Sequence, residues 1–392
     1  MSPRCPGLAK IGLALSGGGV RAAIFHLGVL RRLADEGLLE NVSHISSVSG
    51  GSLAIAVVMS ESEMEWPTSS DYLTHVFPRL QNVLTTVDLF SLRAVGLRGL
   101  FRFNRRLLGH RASIVADLLA DRWGVRGDVK DLPESPVWWI NTTSLLTGKN
   151  WRFARREMGD WQFGAHYNPP FRLADAVAAS AAVPYVIGAL TLKLPDEGWF
   201  DRHPSTRAPV KRKLPEAKTV RLWDGGAYEN LGLEALYKPQ QPLLGCDFLI
   251  SSDASGELRR GGRFAPFDLL RGKLASPRLF DIASDQTRAL RVRMFLADIA
   301  SGRIRGAMVR MGNSVRDIHI KGNAIVDGEA YDDFQTDEEV RFALLHPTDL
   351  RAVSGEVFER LSRHGYEVAD ATLRTHSGDL FEQSFTWGSR RT

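Results

Sequence analysis

The chain has 392 residues, 44% of them hydrophobic, which is enough apolar material for one large globular core or two. Its only cysteines, Cys5 and Cys246, lie far apart, which excludes a disulfide framework or a cysteine-based zinc site and favours a reducing compartment. The formal net charge of +5 is a mild excess that suits an anionic surface but does not choose between lipid and nucleic acid.

Hydropathy limits how the chain can meet a membrane. No apolar run approaches the roughly 18 residues that a membrane-spanning helix needs. Residues 1–10 are few, contain two prolines and lead directly into a predicted core strand, so we expect no secretory signal there. We therefore expect a cytoplasmic protein that is soluble or peripherally membrane-associated.

The first predicted elements are a strand, a glycine-rich turn, a helix and a second strand. Residues 11–15 are a short buried strand, and residues 23–34 carry apolar positions at helical spacing until Gly37 ends the helix. Residues 44–48 are a strand-forming run that completes a βαβ unit. Such a unit predicts an α/β fold whose central sheet is at least partly parallel.

The glycine-rich turn admits three interpretations. Gly17, Gly19 and Ala22 match a dinucleotide-binding fingerprint, but that fingerprint needs an acidic residue at the end of the second strand, where none stands. A phosphate-binding P-loop would need a lysine that the turn lacks. Backbone N–H groups at a helix N-terminus can instead point at a developing oxyanion. We prefer this third interpretation, because it uses the turn together with the serine that follows the next strand.

That serine, Ser49, stands where the second strand ends and another predicted helix begins. The small residues Ser47, Gly50 and Gly51 surround it, and the apolar run 53–59 follows as a buried helix. A serine on a tight strand–turn–helix bend with small neighbours has the geometry of a nucleophile elbow, whose usual pattern is Gly-x-Ser-x-Gly. The alternative is a serine-rich loop that caps a helix.

Residues 61–125 predict a helical insertion. Within it, residues 88–109 alternate apolar side chains with five arginines, and no acidic residue follows Asp88. A basic amphipathic segment of this kind can lie in a membrane interface. It can equally be a cap helix with solvated arginines that packs over the site around the serine, and the two roles do not exclude each other.

A later predicted strand, residues 219–223, delivers Asp224 at its carboxyl end, followed by Gly225 and Gly226. Open α/β sheets place their ligands at that end of the strands, so we expect Asp224 to lie near Ser49. The alternative is an ordinary turn, because Asp-Gly-Gly is a common turn sequence.

Four stretches in this order resemble the patatin-like phospholipase family. They are Ser16-Gly17-Gly18-Gly19-Val20-Arg21, Ser47-Val48-Ser49-Gly50-Gly51, Ala179-Ser180-Ala181-Ala182-Val183-Pro184 and Asp224-Gly225-Gly226. The chain departs from the family pattern at three small residues, since Ser16 stands for Asp, Ala22 for Gly and Ser47 for Gly. The resemblance covers roughly residues 11–236. It implies a three-layer α/β/α patatin-like fold with a mostly parallel central sheet, a helical cap and C-terminal helices.

The resemblance and the predicted elements together divide the chain. A catalytic domain spans residues 8–256 and includes the insertion at 61–125, and the basic stretch 202–218 is predicted to be an exposed loop. Residues 257–376 are predicted to be helical and to complete the same domain, and residues 377–392 form a tail. The predicted closing helices are 337–345, 350–365 and 366–375.

The resemblance implies a lipid acyl hydrolase of the phospholipase A or lysophospholipase type. Ser49 would attack the ester carbonyl and Asp224 would accept its proton, as a dyad without histidine. The N–H groups of residues 17–19 would form the oxyanion hole, and Arg21 would help to hold the glycine loop or a phosphate. This scheme uses no metal or cofactor, takes membrane phospholipids as substrate and involves no nucleic acid.

Three alternatives stay open. A Ser–His–Asp esterase would need a histidine that follows Asp224 in the chain, for which the candidates are His319, His346, His364 and His376. A catalytically silent interaction protein would keep the fold without the chemistry, and a nucleotide-binding oxidoreductase would use the glycine turn for NAD. Because unrestrained attack on the cell's own lipid would be hazardous, we also expect restraint by a lid or by an activating ligand or protein partner.

Overall fold

The structure is a computed structural model that describes residues 10–87, 111–184, 187–203, 207–256, 275–322, 331–381 and 383–388, with the backbone alone over 275–280. The basic amphipathic segment 88–109 lies outside the described residues, so its contact with a membrane stays a prediction. Within the described ranges, no helix combines the length and the apolar character that crossing a membrane requires.

Five parallel strands form one half of the central sheet. They lie in the order β12 (Gly306–Arg310), β11 (Phe248–Asp253), β1 (Ile11–Leu15), β2 (Val42–Val48) and β3 (Val137–Ser144). Every residue of β1 and β11 is buried, as expected for parallel strands that are covered on both faces. The predicted α/β fold with its parallel strands is confirmed.

The other half of the sheet is antiparallel. From β3 the order continues through β4 (Asn150–Ala154), β5 (Glu157–Asp160), β6 (Gly164–Tyr167), β8 (Trp199–Arg202) and β9 (Pro209–Lys213), while β7 (Leu190–Lys193) pairs with β10 (Thr219–Asp224). The prediction of a loop over residues 202–218 is wrong at β9. Proline and basic side chains gave that stretch the composition of a loop, but an exposed edge strand tolerates both.

Helices cover both faces of the sheet. Those within the described ranges are, in chain order, α1 (Gly19–Asp35), α2 (Gly50–Glu61), α3 (Ser69–Asp71), α4 (Phe77–Thr86), α5 (Arg111–Arg122), α6 (Leu173–Ser180), α7 (Ala275–Ala300), α8 (Val315–Lys321), α9 (Asp337–Leu345) and α10 (Gly355–Ser377). Leu13 and Leu15 of β1 enter the larger core with α1, α2 and α10, whereas Ala14 enters a smaller core with Phe295 of α7. Alternate side chains of a strand point to opposite faces, so the sheet is the middle of three layers.

The C-terminal part of the chain belongs to the same core. α10 crosses α1 so closely that a Cβ on Gly28 would overlap the carbonyl oxygen of Ser362, and one on Gly365 would overlap that of Phe25. The C-terminal portion, predicted from the sequence to be helical, also contains one strand, β12, which extends the sheet beside β11. The domain boundaries themselves stay predictions.

Candidate active site

Two strand ends meet at the candidate site. β2 runs parallel to β3 and ends with Val48 opposite Asn141. β10 runs antiparallel to β3 and ends with Asp224 opposite Thr142. Because Asn141 and Thr142 are neighbours in β3, the carboxyl ends of β2 and β10 face each other along one strand edge. This arrangement brings Ser49, the residue that follows β2, beside Asp224.

Ser49 occupies the sharp bend between β2 and α2. Its backbone torsions are φ 49° and ψ −112°, a conformation that L-residues other than glycine rarely adopt. The hydroxyl of Ser180 accepts a hydrogen bond from the Ser49 N–H at 3.0 Å and so helps to hold the bend. This geometry is that of a nucleophile elbow, in which local strain directs one hydroxyl out of the sheet.

A chain of hydroxyl groups supports the bend from below. The Ser180 hydroxyl donates to the carbonyl oxygen of Asn141 (2.7 Å) and lies 2.9 Å from the Ser52 hydroxyl. The Ser52 hydroxyl in turn lies 2.8 Å from that of Ser47, which accepts the indole N–H of Trp138 at 2.8 Å. Ser47, which stands where the family pattern has glycine, is therefore a buried and fully hydrogen-bonded member of this network.

The glycine-rich turn packs directly against the elbow. A Cβ on Gly17 would lie 3.0 Å from the Ser49 Cβ, and one on Gly50 would overlap the carbonyl oxygen of Gly19. Any side chain at these positions would push the two turns apart. The glycine turn can therefore approach the serine this closely only because Gly17 and Gly50 have no side chains.

The other two departures from the family pattern also have partners. The Ser16 hydroxyl accepts the N–H of Ala254 at 2.7 Å, which ties the start of the glycine turn to the end of β11. The Ala22 methyl group lies 2.9 Å from the position of a Cβ on Gly18 and 3.0 Å from that of a Cβ on Gly50. Ala22 thus fills the space that these two glycines leave.

The N–H groups of the glycine turn differ in what they contact. The Gly17 N–H already donates to the carbonyl oxygen of Asn230 at 3.1 Å. It is therefore not available to an oxyanion, contrary to the prediction that all three glycines donate to it. For the N–H groups of Gly18 and Gly19, the described part of the chain offers no acceptor, and both glycines line a cavity beside Ser49. The turn therefore keeps two N–H donors at the site.

Asp224 is buried and hydrogen-bonded through both its carboxylate and its backbone N–H. Its Oδ1 accepts the N–H of Gly226 at 2.7 Å, and its own N–H donates to the carbonyl oxygen of Ala182 at 3.0 Å. Burial raises the pKa of Asp224 from 3.8 to about 6, although hydrogen bonds from the Gly226 N–H and the Ser49 hydroxyl lower it. A carboxylate with a pKa near neutrality is suited to accept and return a proton.

Asn230 is a site residue that the sequence reasoning missed. Its backbone carbonyl accepts the Gly17 N–H, and its side-chain N–H donates to the Ser255 hydroxyl at 2.8 Å. Its Oδ1 packs against the α-carbons of Gly17 and Gly226, where no Cβ would fit. Asn230 therefore joins the glycine turn to the turn that carries Asp224. The only available signal was its place six residues after Asp224, which is no motif by itself.

Arg21 lies under the glycine turn and is buried. Its guanidinium donates to the carbonyl oxygens of Ala254 (3.1 Å), Leu344 (2.7 Å) and His346 (3.2 Å). These bonds tie α1 to the end of β11 and to α9 with the segment that follows it. In that segment, the carbonyl oxygen of Asp349 accepts the N–H of Val20, the residue after the three glycines. Of the two roles predicted for Arg21, its contacts therefore support holding the loop rather than binding a phosphate.

A cavity of about 640 Å³ opens above these groups. Ser49, Asp224 and the three glycines line one side. The other walls combine polar and charged side chains, among them Asp281, Asp349 and Arg351, with an apolar group made up of Ala181, Val183, Pro184, Ile187, Ala227 and Leu350. Its volume falls within the range of small-molecule sites, roughly 300–1,000 Å³. The arrangement can accommodate an apolar chain whose polar end reaches the serine.

No histidine is among the described residues that line this cavity. Of the four candidates, the His364 ring accepts the N–H of Gly312, and the His319 ring contacts the Tyr331 hydroxyl. His346 and His376 do not border the cavity either. The geometry therefore favours a serine–aspartate pair over a Ser–His–Asp triad.

Known proteins resemble this chain in sequence and in fold. The profile described as patatin-like phospholipase matches residues 13–237, more than half of the chain. Human GIVD cytosolic phospholipase A2 is 14% identical over 96% of this chain and 63% of its own, with a TM-score of 0.51. Its complex with methyl gamma-linolenyl fluorophosphonate inhibitor and terbium chloride is 16% identical over 96% of this chain and 60% of that chain, with a TM-score of 0.53. No curated protein matches the sequence.

These likenesses differ in what they show. At identities this low, the solved structures show the fold alone, and the chain spans about three fifths of their length. The profile match is a match of sequence, and its range includes both Ser49 and Asp224. The chain belongs to the patatin-like phospholipase family.

Proposed function

We propose that this protein is a lipid acyl hydrolase that cleaves carboxylic ester bonds of glycerolipids and glycerophospholipids through Ser49 and Asp224. The observation that carries the proposal is the meeting of β2 and β10 at β3, which sets the Ser49 hydroxyl beside a buried carboxylate. Membership of the patatin-like phospholipase family supports the lipid substrate class.

The chemistry follows from the groups around the serine. The Ser49 hydroxyl attacks the ester carbonyl carbon while the Asp224 carboxylate takes its proton. The carbonyl oxygen becomes an oxyanion that the N–H groups of Gly18 and Gly19 stabilise, each by an amount on the order of 3 kcal/mol in other hydrolases. Collapse of this intermediate breaks the ester bond, and the leaving alcohol takes the proton from Asp224.

Deacylation repeats these steps with water as the nucleophile. Asp224 takes a proton from the water, the resulting hydroxide attacks the acyl–Ser49 ester, and a second oxyanion forms at the same N–H groups. Collapse releases the fatty acid, and the Ser49 oxygen recovers its proton from Asp224. The apolar walls formed by Val183, Ile187 and Leu350 would hold the acyl chain throughout.

Contact with a membrane and control of activity belong to the same proposal. We expect peripheral membrane association, to which the predicted amphipathic segment 88–109 would contribute. We also expect restraint by a lid, an activating ligand or a protein partner. Full activity of the purified protein alone on phospholipid vesicles would contradict that restraint.

Serine-directed labelling tests the proposal. Wild-type protein should react with a fluorophosphonate probe and release fatty acid from mixed phospholipids, as followed by mass spectrometry. Ser49→Ala should lose both the label and the release. Ser70→Ala, which removes an exposed hydroxyl on α3, is the matched control and should behave as wild type. A wild-type protein that takes no label would favour a catalytically silent protein on this fold.

A further inference from the structure

Two neighbouring turns carry large apolar side chains into solvent. Leu146, in the turn at residues 145–149 that follows β3, is 53% exposed. Trp161, in the turn between β5 and β6, is 73% exposed. Single exposed apolar residues are common, but two on adjoining turns form a patch.

The two turns are joined to each other. The Thr147 hydroxyl donates to Asp160 Oδ2 at 2.6 Å, which links the end of β5 to the turn after β3. The Lys149 ammonium lies 5.5 Å from the centroid of the Trp161 ring. The Asp160 carboxylate is buried and hydrogen-bonded, whereas Lys149 places a cation beside the exposed apolar side chains.

The base of the Trp161 turn is rigid. Asp160 Oδ1 accepts the N–H groups of Gln162 (2.9 Å) and Phe163 (2.7 Å). Phe163 is buried against Trp151 and Trp199, with ring centroids 5.2 and 4.9 Å away. The exposed indole therefore stands on a fixed support, so its exposure is a property of the fold and not of a loose loop.

Both turns stand at the end of the sheet that holds the candidate active site. Asp224 pairs with Thr142 of β3, and Leu146 follows four residues later, just beyond the end of that strand. β5 is antiparallel to β4, which is antiparallel to β3, so β5 ends in the same direction as β3. Trp161 therefore leaves the sheet on the side of the Ser49–Asp224 pair.

The geometry points to a membrane anchor formed by Leu146, Lys149 and Trp161, which docks the protein on an anionic phospholipid surface. An indole and an isobutyl group gain from burial at the lipid interface, where tryptophan is enriched. The lysine keeps its ammonium at the level of the lipid phosphates. This inference rests on the proposed lipid substrate and uses only residues outside the segment 88–109.

Vesicle binding by the full chain tests the anchor. The vesicles contain phosphatidylcholine and phosphatidylglycerol, and all variants carry Ser49→Ala so that hydrolysis does not change the lipid. Trp161→Ala should weaken partitioning about tenfold, and Leu146→Ala in addition should weaken it further. Ile320→Ala, which removes a side chain of similar exposure (50%) on α8, should bind like its parent.

The charged part of the anchor has its own signature. Lys149→Ala should weaken binding to the mixed vesicles at low salt and should change little on vesicles of phosphatidylcholine alone. Equal partitioning of the parent and the Trp161→Ala/Leu146→Ala variant would overturn the proposal and leave the two turns to a protein partner. Thermal unfolding of each variant checks that the fold is intact.

A second assay separates this inference from the proposed function. With Ser49 restored, Trp161→Ala should turn over a water-soluble short-chain ester at the wild-type rate and lose activity only on vesicles. Loss of turnover on the soluble ester would overturn the anchor, because the tryptophan would then act on the site itself. Failure of the proposed function would instead remove soluble-ester turnover from the wild-type protein while leaving the binding measurements interpretable.

Discussion

The parallel and antiparallel halves of the sheet use their strands differently. In the parallel half, β1 and β11 are wholly buried, and helices approach so closely that a Cβ on Gly51 would lie 2.5 Å from the carbonyl oxygen of Leu15. In the antiparallel half, the strands run outward to β9, whose side chains are largely exposed. The first half supplies a tightly packed scaffold, and the second supplies turns and surface.

β3 belongs to both halves, and this explains where the candidate site lies. In a purely parallel sheet all carboxyl ends point the same way, so two of them cannot face each other along one edge. Here β2 stops opposite Asn141, and the antiparallel β10 takes over the same edge from Thr142 onward. The change of direction at β3 is what sets Ser49 beside Asp224.

The largest expected effect comes from removing Ser49 or Asp224, the two groups that meet at the junction of β2 and β10 on β3. Ser49→Ala and Asp224→Asn should each lower kcat/KM for ester hydrolysis by about 10⁴-fold or more, and the double variant should lose no more than the single ones. The reason is that two groups in one proton transfer act as a unit. Steady-state kinetics on a soluble ester measure this, and additive losses would mean that the two strand ends work separately.

The tight packing of the parallel half predicts a large cost for a single methyl group. Gly365→Ala should lower the free energy of unfolding by about 3 kcal/mol, because the new Cβ would overlap the Phe25 carbonyl oxygen. Gly355→Ala in the same helix meets no atom and should change stability by less than about 1 kcal/mol, in the stabilising direction. Urea unfolding measures both, and equal effects would argue against close α1–α10 contact.

The buried junction also predicts a pH profile. In the proposed mechanism Asp224 must be ionised to accept the serine proton, and burial raises its pKa to about 6. Activity should therefore be full above pH 7 and should fall as the pH drops through about 6, approaching tenfold per pH unit below it. The measurement is kcat/KM for a soluble ester against pH. A midpoint near the ordinary value of 3.8 would mean that water reaches the carboxylate.

Asn230, which joins the turns on the two sides of the junction, should have a smaller effect. Asn230→Ala removes the side chain that packs between Gly17 and Gly226, so it should lower kcat by about 10- to 100-fold with little change in KM. Asn82→Ala, at an exposed position on α4, is the matched control. A change confined to KM would indicate a role in binding rather than in positioning.

The smallest effect is expected at the edge of the antiparallel half. Arg212 pairs with Glu197 at 2.6 Å, but both side chains are well exposed, so water screens the interaction. Arg212→Ala should change the free energy of unfolding by less than about 0.5 kcal/mol and leave soluble-ester hydrolysis unchanged. A cost comparable to that of Gly365→Ala would remove the contrast between the two halves.

Much of the candidate site could be predicted because each of its parts corresponds to a short pattern of neighbouring residues. Small residues around Ser49 indicate a tight bend, a run of glycines before a helix indicates free N–H groups, and a carboxylate at a strand end indicates a ligand-binding edge. Each pattern depends on neighbours in the chain. The order of these patterns, together with the apolar periodicity between them, also predicted the α/β fold.

Other features were decided by contacts between distant parts of the chain. The sequence predicts two helices that meet at Gly365, because glycine is a poor helix former. That prediction is wrong, since α10 continues through Gly365, where the missing side chain lets α1 approach. The sequence also predicts the Gly17 N–H to be an oxyanion donor, but in the folded chain this group donates to the carbonyl oxygen of Asn230. By itself the sequence determined the elbow, the glycine turn and the aspartate. Only the tertiary structure decided which strand edge they share and which N–H groups find an acceptor among the described residues, because hydrogen bonding and close packing between remote segments leave no pattern in the neighbouring residues.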